Sequence, residues 1–247
     1  MKISIITVSY NSARTIRDTI ESVINQSYDN IEHIFVDGIS EDDTIGIINS
    51  YNHEKIVVSE KDKGIYDAMN KGVLLATGDI IGILNSDDLY EDTNIIETVM
   101  NQFSQYPSTD IVYGDLVYVK SDNVDKVVRK WKSMSYKNDF FDNGNVPPHP
   151  SLFIKRRIYE ESGLFNLDFN LAADYEFMLR IFKKHNYKSK YINKVFVKMR
   201  MGGATNKSFS NIIKQNIEIL NSWSHNQLKV SFLLMPLRII KRLIQFI

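Results

Sequence analysis

The first 90 residues alternate short runs of β-branched apolar residues with longer segments of helical period. Short β-branched runs are typical of buried strands, and apolar residues spaced three and four apart are typical of amphipathic helices. The pattern predicts strands at 3–8, 31–36, 56–58 and 80–84, and helices at 16–24, 43–51 and 65–76. Strands joined by helical crossovers of this length form parallel sheets. We therefore predict an α/β fold with a doubly wound, mostly parallel central sheet and flanking helices.

The predicted strands end on polar side chains, which are densest after the fourth strand. Its apolar run stops at Leu84 and is followed by Asn85, Asp87 and Asp88. In an open parallel sheet, ligands bind in the crevice beyond the carboxyl ends of the strands. The same residues also close strands in Asx turns, so a ligand site and a simple turn both remain open here. The other strand ends contribute Thr7, Ser9, Tyr10, Asp37, Glu60 and Asp62.

The composition of the chain limits the classes of protein to which it could belong. The chain has 247 residues, of which 43% are hydrophobic and 24% charged, as in a globular protein that buries a core. Thirty basic residues balance thirty acidic ones, so we expect no nucleic-acid partner. The absence of cysteine excludes disulfides and thiolate metal sites. The apolar run at 3–8 follows a single lysine and has no small-residue cleavage site, so it is interpreted as a strand and not a signal peptide.

The first strand–helix turn, at 9–14, contains no glycine. Both the dinucleotide-binding fingerprint and the phosphate-binding loop of NTPases need glycines at this turn, so neither is present. A nucleotide in this acidic crevice would need a hard divalent cation, Mg²⁺ or Mn²⁺, between its diphosphate and the carboxylates.

Seven motifs, in order along the chain, resemble those of a known enzyme family. They are IITVSYN at 5–11, VDGISEDDT at 36–44, DKGIYDAMNKG at 62–72, ATGD at 76–79, LNSDD at 84–88, PHPSLFIKR at 148–156 and AADYEFMLR at 172–180. Together they resemble the family 2 glycosyltransferases with the A-type fold. The resemblance implies a glycosyltransferase domain at 1–205, with a nucleotide-binding half at 1–90 and an acceptor-binding half at 91–205. A helical extension would follow at 206–247.

The resemblance also implies which residues hold the nucleotide. Thr7, Tyr10 and Asp37 match the positions that hold the base, and a carboxylate at 37 could accept the imide hydrogen of uracil. Asp37 also precedes a glycine, so a strand-end turn is the alternative for it. The further nucleotide contacts are assigned to Asp62, Asn85 and Ser86.

The segment 85–87 departs from the Asp-x-Asp motif of the family, because its first residue is an amide. Asp87 is then the expected ligand of Mg²⁺ or Mn²⁺, together with phosphate oxygens and water. Losing one negative charge should weaken the metal site. Asn85 could still bond ribose or a metal-bound water.

Asp174 matches the catalytic base of the family, and a helix-capping role is its structural alternative. The family often has an acid just before this position, where this chain has Ala173. The apolar side of the helix that follows is supplied by Phe177, Leu179, Ile181 and Phe182.

Two further positions are candidates on the acceptor side. His149 lies between two prolines in a turn and could contact the acceptor, although a lone histidine is often structural. Gly203 belongs to the stretch 201–205, which resembles a loop that closes over the donor sugar; a plain turn is the alternative.

The resemblance implies an inverting, metal-dependent glycosyltransferase. The expected donor is a nucleotide sugar, specifically a UDP sugar, and the acceptor a hydroxyl of a saccharide or lipid-linked saccharide in bacterial surface polysaccharide synthesis. Asn85 and Ala173 favour the alternative of a nucleotide-sugar-binding protein that has lost catalysis. A nucleotidyltransferase is more distant, because Arg14 is the one basic residue in the first turn.

The tail at 228–247 has no acidic residue and a charge of +4, from Lys229, Arg238, Lys241 and Arg242. These charges and Pro236 argue against a membrane span. From Leu237 onward, apolar residues three and four apart predict a helix lying on the inner face of the cytoplasmic membrane. That face is formed by Leu237, Ile240, Ile244 and Ile247, with Leu243 alongside. We thus expect a cytoplasmic protein peripheral to the membrane; packing on the domain or in a homodimer is the alternative.

Overall fold

In the computed structural model, which describes residues 1–202 and 209–245, the first four strands pair in parallel. They are β1 (Ile3–Ser9), β2 (Ile31–Asp37), β3 (Lys55–Ser59) and β4 (Ile80–Ile83). The helices between them are α1 (Ile16–Ile24), α2 (Thr44–Ser50) and α3 (Ile65–Leu75). The spatial order β3-β2-β1-β4 reverses direction at β1, as in a doubly wound sheet. The predicted α/β fold is confirmed, with these elements within two residues of their expected bounds.

The second half of the sheet is mixed. Its elements are β5 (Asp88–Tyr90), α4 (Ile95–Gln105), β6 (Ile111–Lys120), β7 (Asn123–Trp131), β8 (Leu152–Lys155), α5 (Arg156–Ser162), α6 (Ala173–Leu179) and β9 (Ser189–Arg200). The order continues β4-β8-β6-β9-β5, with β7 paired to β6. Strand β8 is antiparallel to both neighbours, while β9 is parallel to β6. The predicted parallel pairing therefore holds for the first half, whereas long-range pairings set the second.

Helical period explains how the first helix docks. Ile16, Ile20 and Val23 of α1 are buried at spacings of four and three, whereas Ile24 is largely exposed. Burying an aliphatic side chain of this size contributes about 1.5–3 kcal/mol. This stripe fixes α1 against the sheet and places the turn before it at the end of β1.

Two C-terminal helices, α7 (Phe209–His225) and α8 (Leu234–Ile244), pack onto this body. Trp223 of α7 and Leu234 of α8 belong to the main hydrophobic core. A Cβ on Gly144 would lie 2.7 Å from the backbone nitrogen of Arg238, so α8 meets the domain backbone to backbone. Helix α8 begins at Leu234, one turn before the expected start, because proline is tolerated in a first helical turn. Within the described residues, no helix is long and apolar enough to cross a membrane.

A histidine lies in the interior of the sheet. His33 of β2 is fully buried, with its Nε2 2.9 Å from the Thr7 hydroxyl on β1. Its Nδ1 has no hydrogen-bond partner among the described residues. Burial lowers the pKa of His33 well below its ordinary value, and the nearby His53 and Lys55 lower it further. The folded protein therefore holds this imidazole neutral.

We expect the free energy of unfolding to fall as the pH drops below about 6.5, the ordinary histidine pKa. The unfolded chain then binds a proton that the folded chain excludes, which costs up to about 1.4 kcal/mol per pH unit for each such histidine. Urea denaturation at decreasing pH measures this slope. His33→Gln should flatten it, and the matched variant of the exposed His225, His225→Gln, should retain it. A wild-type slope in His33→Gln would contradict the prediction.

Candidate active site

Three strand ends form a row at the carboxyl edge of the parallel half-sheet. Ser9, Asp37 and Ser59 are neighbours in register on β1, β2 and β3. The buried Asp37 carboxylate accepts hydrogen bonds from the hydroxyls of Ser9 (3.1 Å) and Ser59 (2.8 Å). The backbone N–H of Ser40 (2.8 Å) and the Ser40 hydroxyl also donate to it. A carboxylate accepts about four such bonds, so the protein itself occupies Asp37 in this arrangement.

The other residues assigned to the base occupy different environments. Thr7 is fully buried and its hydroxyl is bonded to His33, so that hydroxyl is engaged inside the sheet. Tyr10 is 61% exposed at the end of β1. A Cβ on Gly38 would lie 2.6 Å from Asp62 Oδ2 and 3.5 Å from Tyr10 Cδ2. The structure thus brings Tyr10 and Asp62 together over the glycine that follows Asp37.

The polar residues at 85–88, after β4, include buried oxygen atoms without hydrogen-bond partners. Asn85 Nδ2 donates to Asp88 Oδ2 (3.1 Å), but Asn85 Oδ1 and Asp88 Oδ1 accept no hydrogen bond from the described residues. Burial raises the pKa of the partly exposed Asp87; burial and the adjacent Asp87 charge raise that of Asp88 well above its ordinary value. Orphaned buried oxygens cost free energy, so this is a place where a bound cation would stabilise the protein.

Ser86 is mainly a link between two segments. Its hydroxyl lies 2.8 Å from that of Ser12, and its carbonyl accepts a hydrogen bond from the Thr15 hydroxyl (2.9 Å). These bonds tie the 85–88 segment to the turn before α1, and Ser86 is buried as a result. The nucleotide contact assigned to its side chain stays a prediction.

Arg200, which sequence analysis did not single out, contacts the 85–88 segment. It ends β9, is 6% exposed and donates to the Asp87 carbonyl (2.8 Å). It also forms an ion pair with Asp18 of α1. In the sequence, the position of Arg200 directly before the predicted loop at 201–205 was the feature that could have indicated it. Gly203 of that loop lies outside the described residues.

Asp174, the predicted base, lies in the first turn of α6 and remains partly exposed. The hydroxyl of Tyr66, from the start of α3, donates to Asp174 Oδ1 (2.9 Å). Burial, followed by the adjacent Asp174 charge and this hydrogen bond, raises the pKa of Tyr66 well above its ordinary value. Tyr66 therefore stays protonated as a hydrogen-bond donor, which orients the carboxylate. The signal for Tyr66 was its place in the DKGIYDAMNKG motif.

His149 and Tyr66 both pack against the ring of Phe165. His149 begins a 3₁₀ turn, His149–Ser151, immediately before β8, and its ring stacks edge-on against Phe165 at 5.6 Å. Burial lowers its pKa, and the charge of Asp174 opposes that shift. The structure thus groups His149, Tyr66 and Asp174, three residues that are far apart in sequence.

Two glutamate carboxylates, one on α7 and one on α6 itself, stabilise helix α6. Glu218 of α7 accepts hydrogen bonds from the backbone N–H groups of Leu171 (2.8 Å) and Ala172 (2.9 Å), which precede the helix. Glu176 of α6 is fully buried and pairs with Arg180 at 2.9 Å. Ala173 is also fully buried, so an apolar residue suits this position. The helix that carries Asp174 is therefore anchored at its start and within its first turns by buried or partly buried polar contacts.

The oxygen donors at 85–88 are compatible with a hard divalent cation. In residues 1–202 and 209–245, no three His, Cys, Asp or Glu side chains are grouped as a metal site of their own. However, Asn85 Oδ1 and Asp88 Oδ1 are orphaned beside Asp87, and carboxylate and amide oxygens suit Mg²⁺ or Mn²⁺. A cation that retains waters and takes phosphate oxygens needs only one or two protein carboxylates, so the residues present fit.

The half-parallel sheet with a polar crevice at its carboxyl edge is that of an A-type glycosyltransferase. The chain belongs to glycosyl transferase family 2, whose family model matches residues 4–163. A PGL/p-HBAD biosynthesis glycosyltransferase of Mycobacterium bovis is 28% identical over 208 residues, covering 82% of this chain and 78% of that protein.

Solved structures confirm the fold. Residues 1–349 of S. aureus TarS in complex with UDP-GlcNAc align with a TM-score of 0.67 at 16% identity, over 98% of this chain and 79% of the other. The mannosyltransferase PcManGT from Pyrobaculum calidifontis, in complex with GDP-Man and Mn²⁺, gives a TM-score of 0.63 at 17% identity, over 97% and 73%. At these identities the likeness establishes the shared architecture.

Proposed function

We propose that this protein is an inverting, metal-dependent glycosyltransferase that uses a nucleotide sugar, specifically a UDP sugar. Its acceptor is a hydroxyl of a saccharide or lipid-linked saccharide in bacterial surface polysaccharide synthesis. The observation that carries the proposal is the partly exposed Asp174 carboxylate, oriented by Tyr66 beside His149 in a chain of this family. Similar proteins support it, since S. aureus TarS is solved in complex with UDP-GlcNAc and a relative is a PGL/p-HBAD biosynthesis glycosyltransferase.

The base of the donor would lie at the row of strand ends. Tyr10 offers an exposed ring for stacking, and Asp62 lies beside it. For Asp37 to accept the imide hydrogen of uracil, one serine hydroxyl must rotate away from its carboxylate. Exchanging one hydrogen bond for another of similar strength costs little, so the internal bonds hold Asp37 in place until the base arrives.

The diphosphate would lie near 85–88. Asp87, supported by the oxygens of Asn85 and Asp88, would hold the divalent cation. The bound cation would neutralise the diphosphate and stabilise it as a leaving group. Arg200 fixes the Asp87 backbone through its carbonyl and so positions this segment.

We expect Asp87→Ala to lose Mn²⁺-dependent binding of UDP without unfolding the protein. The side chain lies at a strand end and not in the core, so its loss removes a ligand and no packing. Isothermal titration of UDP with and without Mn²⁺ measures this. The control is Asp122→Ala in the exposed β6–β7 turn, which should bind like the wild type. Wild-type affinity in Asp87→Ala would remove Asp87 from the site.

Asp174 would act as the general base. As the acceptor oxygen attacks the anomeric carbon, its proton passes to the carboxylate, while the bond from that carbon to the diphosphate breaks on the opposite face. One displacement of this kind inverts the anomeric configuration. Tyr66 donates to one carboxylate oxygen, which leaves the other to receive the proton.

Asp174→Asn should bind the donor normally yet transfer the sugar about 10² to 10⁴ times more slowly, the usual contribution of general-base catalysis. An amide oxygen can still accept the Tyr66 hydrogen bond, so the loss reports on the base and not on its support. Steady-state rates measure the loss of turnover, and the donor Kd shows whether donor binding is retained. Asp168→Asn makes the same change at an exposed position nearby and should retain activity. Unchanged turnover in Asp174→Asn, or a product that retains the donor configuration, would contradict the mechanism.

The outer face of α8 supports the proposal of a peripheral membrane contact. Ile240 and Ile244 are exposed as expected, whereas Leu237 is partly covered and Ile247 lies outside the described residues. Leu234 is buried against the domain, so the packing alternative holds for the inner face. Apolar positions beside a basic helix favour binding to anionic lipid surfaces.

The double variant Ile240→Ser/Ile244→Ser should float less with anionic liposomes than the wild type. The substitutions remove apolar area from the exposed face and leave the buried face intact, which a truncation would not. Flotation of the vesicles through a sucrose gradient measures the bound fraction. Leu74→Ser, at an exposed site on α3, should float like the wild type. Equal flotation of the double variant and the wild type would exclude a membrane role for this face.

A further inference from the structure

A cavity outside the donor crevice lies between β7, the segment 133–146 and α8. Its volume is about 370 Å³. Its lining includes five basic residues, of which Lys130 and Lys132 are exposed, and no Asp or Glu is among the described lining residues; the five are Arg129, Lys130, Lys132, Arg238 and Lys241. A concave site of one charge sign concentrates ligands of the opposite sign. The cavity is therefore suited to an anion.

The positive charge of the cavity is compensated only in part: Lys132 opposes the raising of the Asp115 pKa by burial, and the charge of Asp174 acts on Arg238. Lys241 and Arg129 donate to the neutral side chains of Asn145 and Gln245. Arg238 is 7% exposed, packs over the ring of Tyr175 at 5.2 Å, and has an Nε without a partner among the described residues. Lys130, Lys132, Arg238 and Lys241 make no ion pair with any described carboxylate. Of these four, Arg238 is the buried one, and a buried cation is costly unless an anion compensates it.

The cavity adjoins the acceptor side of the active site. Tyr175, which stacks on Arg238, directly follows Asp174. The charge of Asp174 acts on Arg238, where it opposes the lowering of the arginine pKa by burial. The lining residues 144–146 lead through two prolines to His149. An anionic group held in the cavity would therefore belong to the acceptor and not to the donor nucleotide.

The mouth of the cavity is apolar on one side. Ile244 lines it and is 75% exposed. A diphosphate attached to a hydrocarbon chain matches both features, because the anion meets the cations while the chain leaves along α8. We propose that this cavity binds the diphosphate of an isoprenoid-type lipid-linked acceptor. This rests on the proposed function and narrows its acceptor class.

Isothermal titration with farnesyl diphosphate, in EDTA and without donor nucleotide, tests the proposal. EDTA removes any diphosphate binding that depends on a metal at Asp87. Losing one charged hydrogen bond should weaken binding about tenfold or more in Lys241→Gln and in Arg238→Gln. Lys241→Gln retains a donor for Asn145, so it keeps the test valid if Arg238→Gln unfolds. The matched control Lys126→Gln, on β7 but outside the cavity, should bind like the wild type.

Wild-type affinity in Lys241→Gln, or no binding of farnesyl diphosphate in EDTA, would overturn the proposal. Equal affinity for inorganic pyrophosphate would overturn the lipid-linked assignment. A Lys241→Gln defect seen only with phosphatidylglycerol vesicles would assign the cavity to bulk membrane lipid instead. Because these titrations need no donor and no Asp174, their failure would leave the proposed transferase activity standing.

Discussion

The Asp37 carboxylate organises the carboxyl edge on which the rest of the site depends. It joins three parallel strands and the following turn through Ser9, Ser59 and Ser40. Parallel strands in register end at the same level, so one carboxylate can reach neighbours on both sides. A buried charge is tolerated only when such bonds compensate it, and here they also align the positions that a nucleotide would meet. The binding role proposed for Asp37 would therefore use the same geometry as its structural role.

The two halves of the site meet different physical requirements. At 85–88 the chain leaves oxygens unsatisfied, which lowers stability in the absence of a ligand but favours binding. At Asp174 the reverse holds, because Glu218 and Glu176 fix the helix from below and Tyr66 fixes the carboxylate from the side. Metal binding gains from oxygen ligands that have no other partner, whereas general-base catalysis gains from a group held in one orientation.

Local periodicity was sufficient for the parallel half, because each of its strands and helices buries its own apolar pattern. It could not give contacts set by the whole fold. Tyr66 and Asp174 are 108 residues apart, and Arg200 reaches Asp18 across 182 residues. The buried bond from Thr7 to His33 was also hidden, since both side chains look like strand-end or surface residues in the sequence. The antiparallel pairing of β8 likewise depends on neighbours that no local pattern specifies.

Helix α8 shows why a single amphipathic pattern allowed two interpretations. Its inner face docks where Gly144 lets the helix backbone approach, a position whose φ of +73° also favours glycine. Close docking buries Arg238 but leaves a gap beside β7 that the basic side chains line without filling. The outer face retains exposed isoleucines. The same helix thus covers the core, forms one wall of a basic cavity and presents an apolar surface, so packing on the domain and contact with a lipid are compatible.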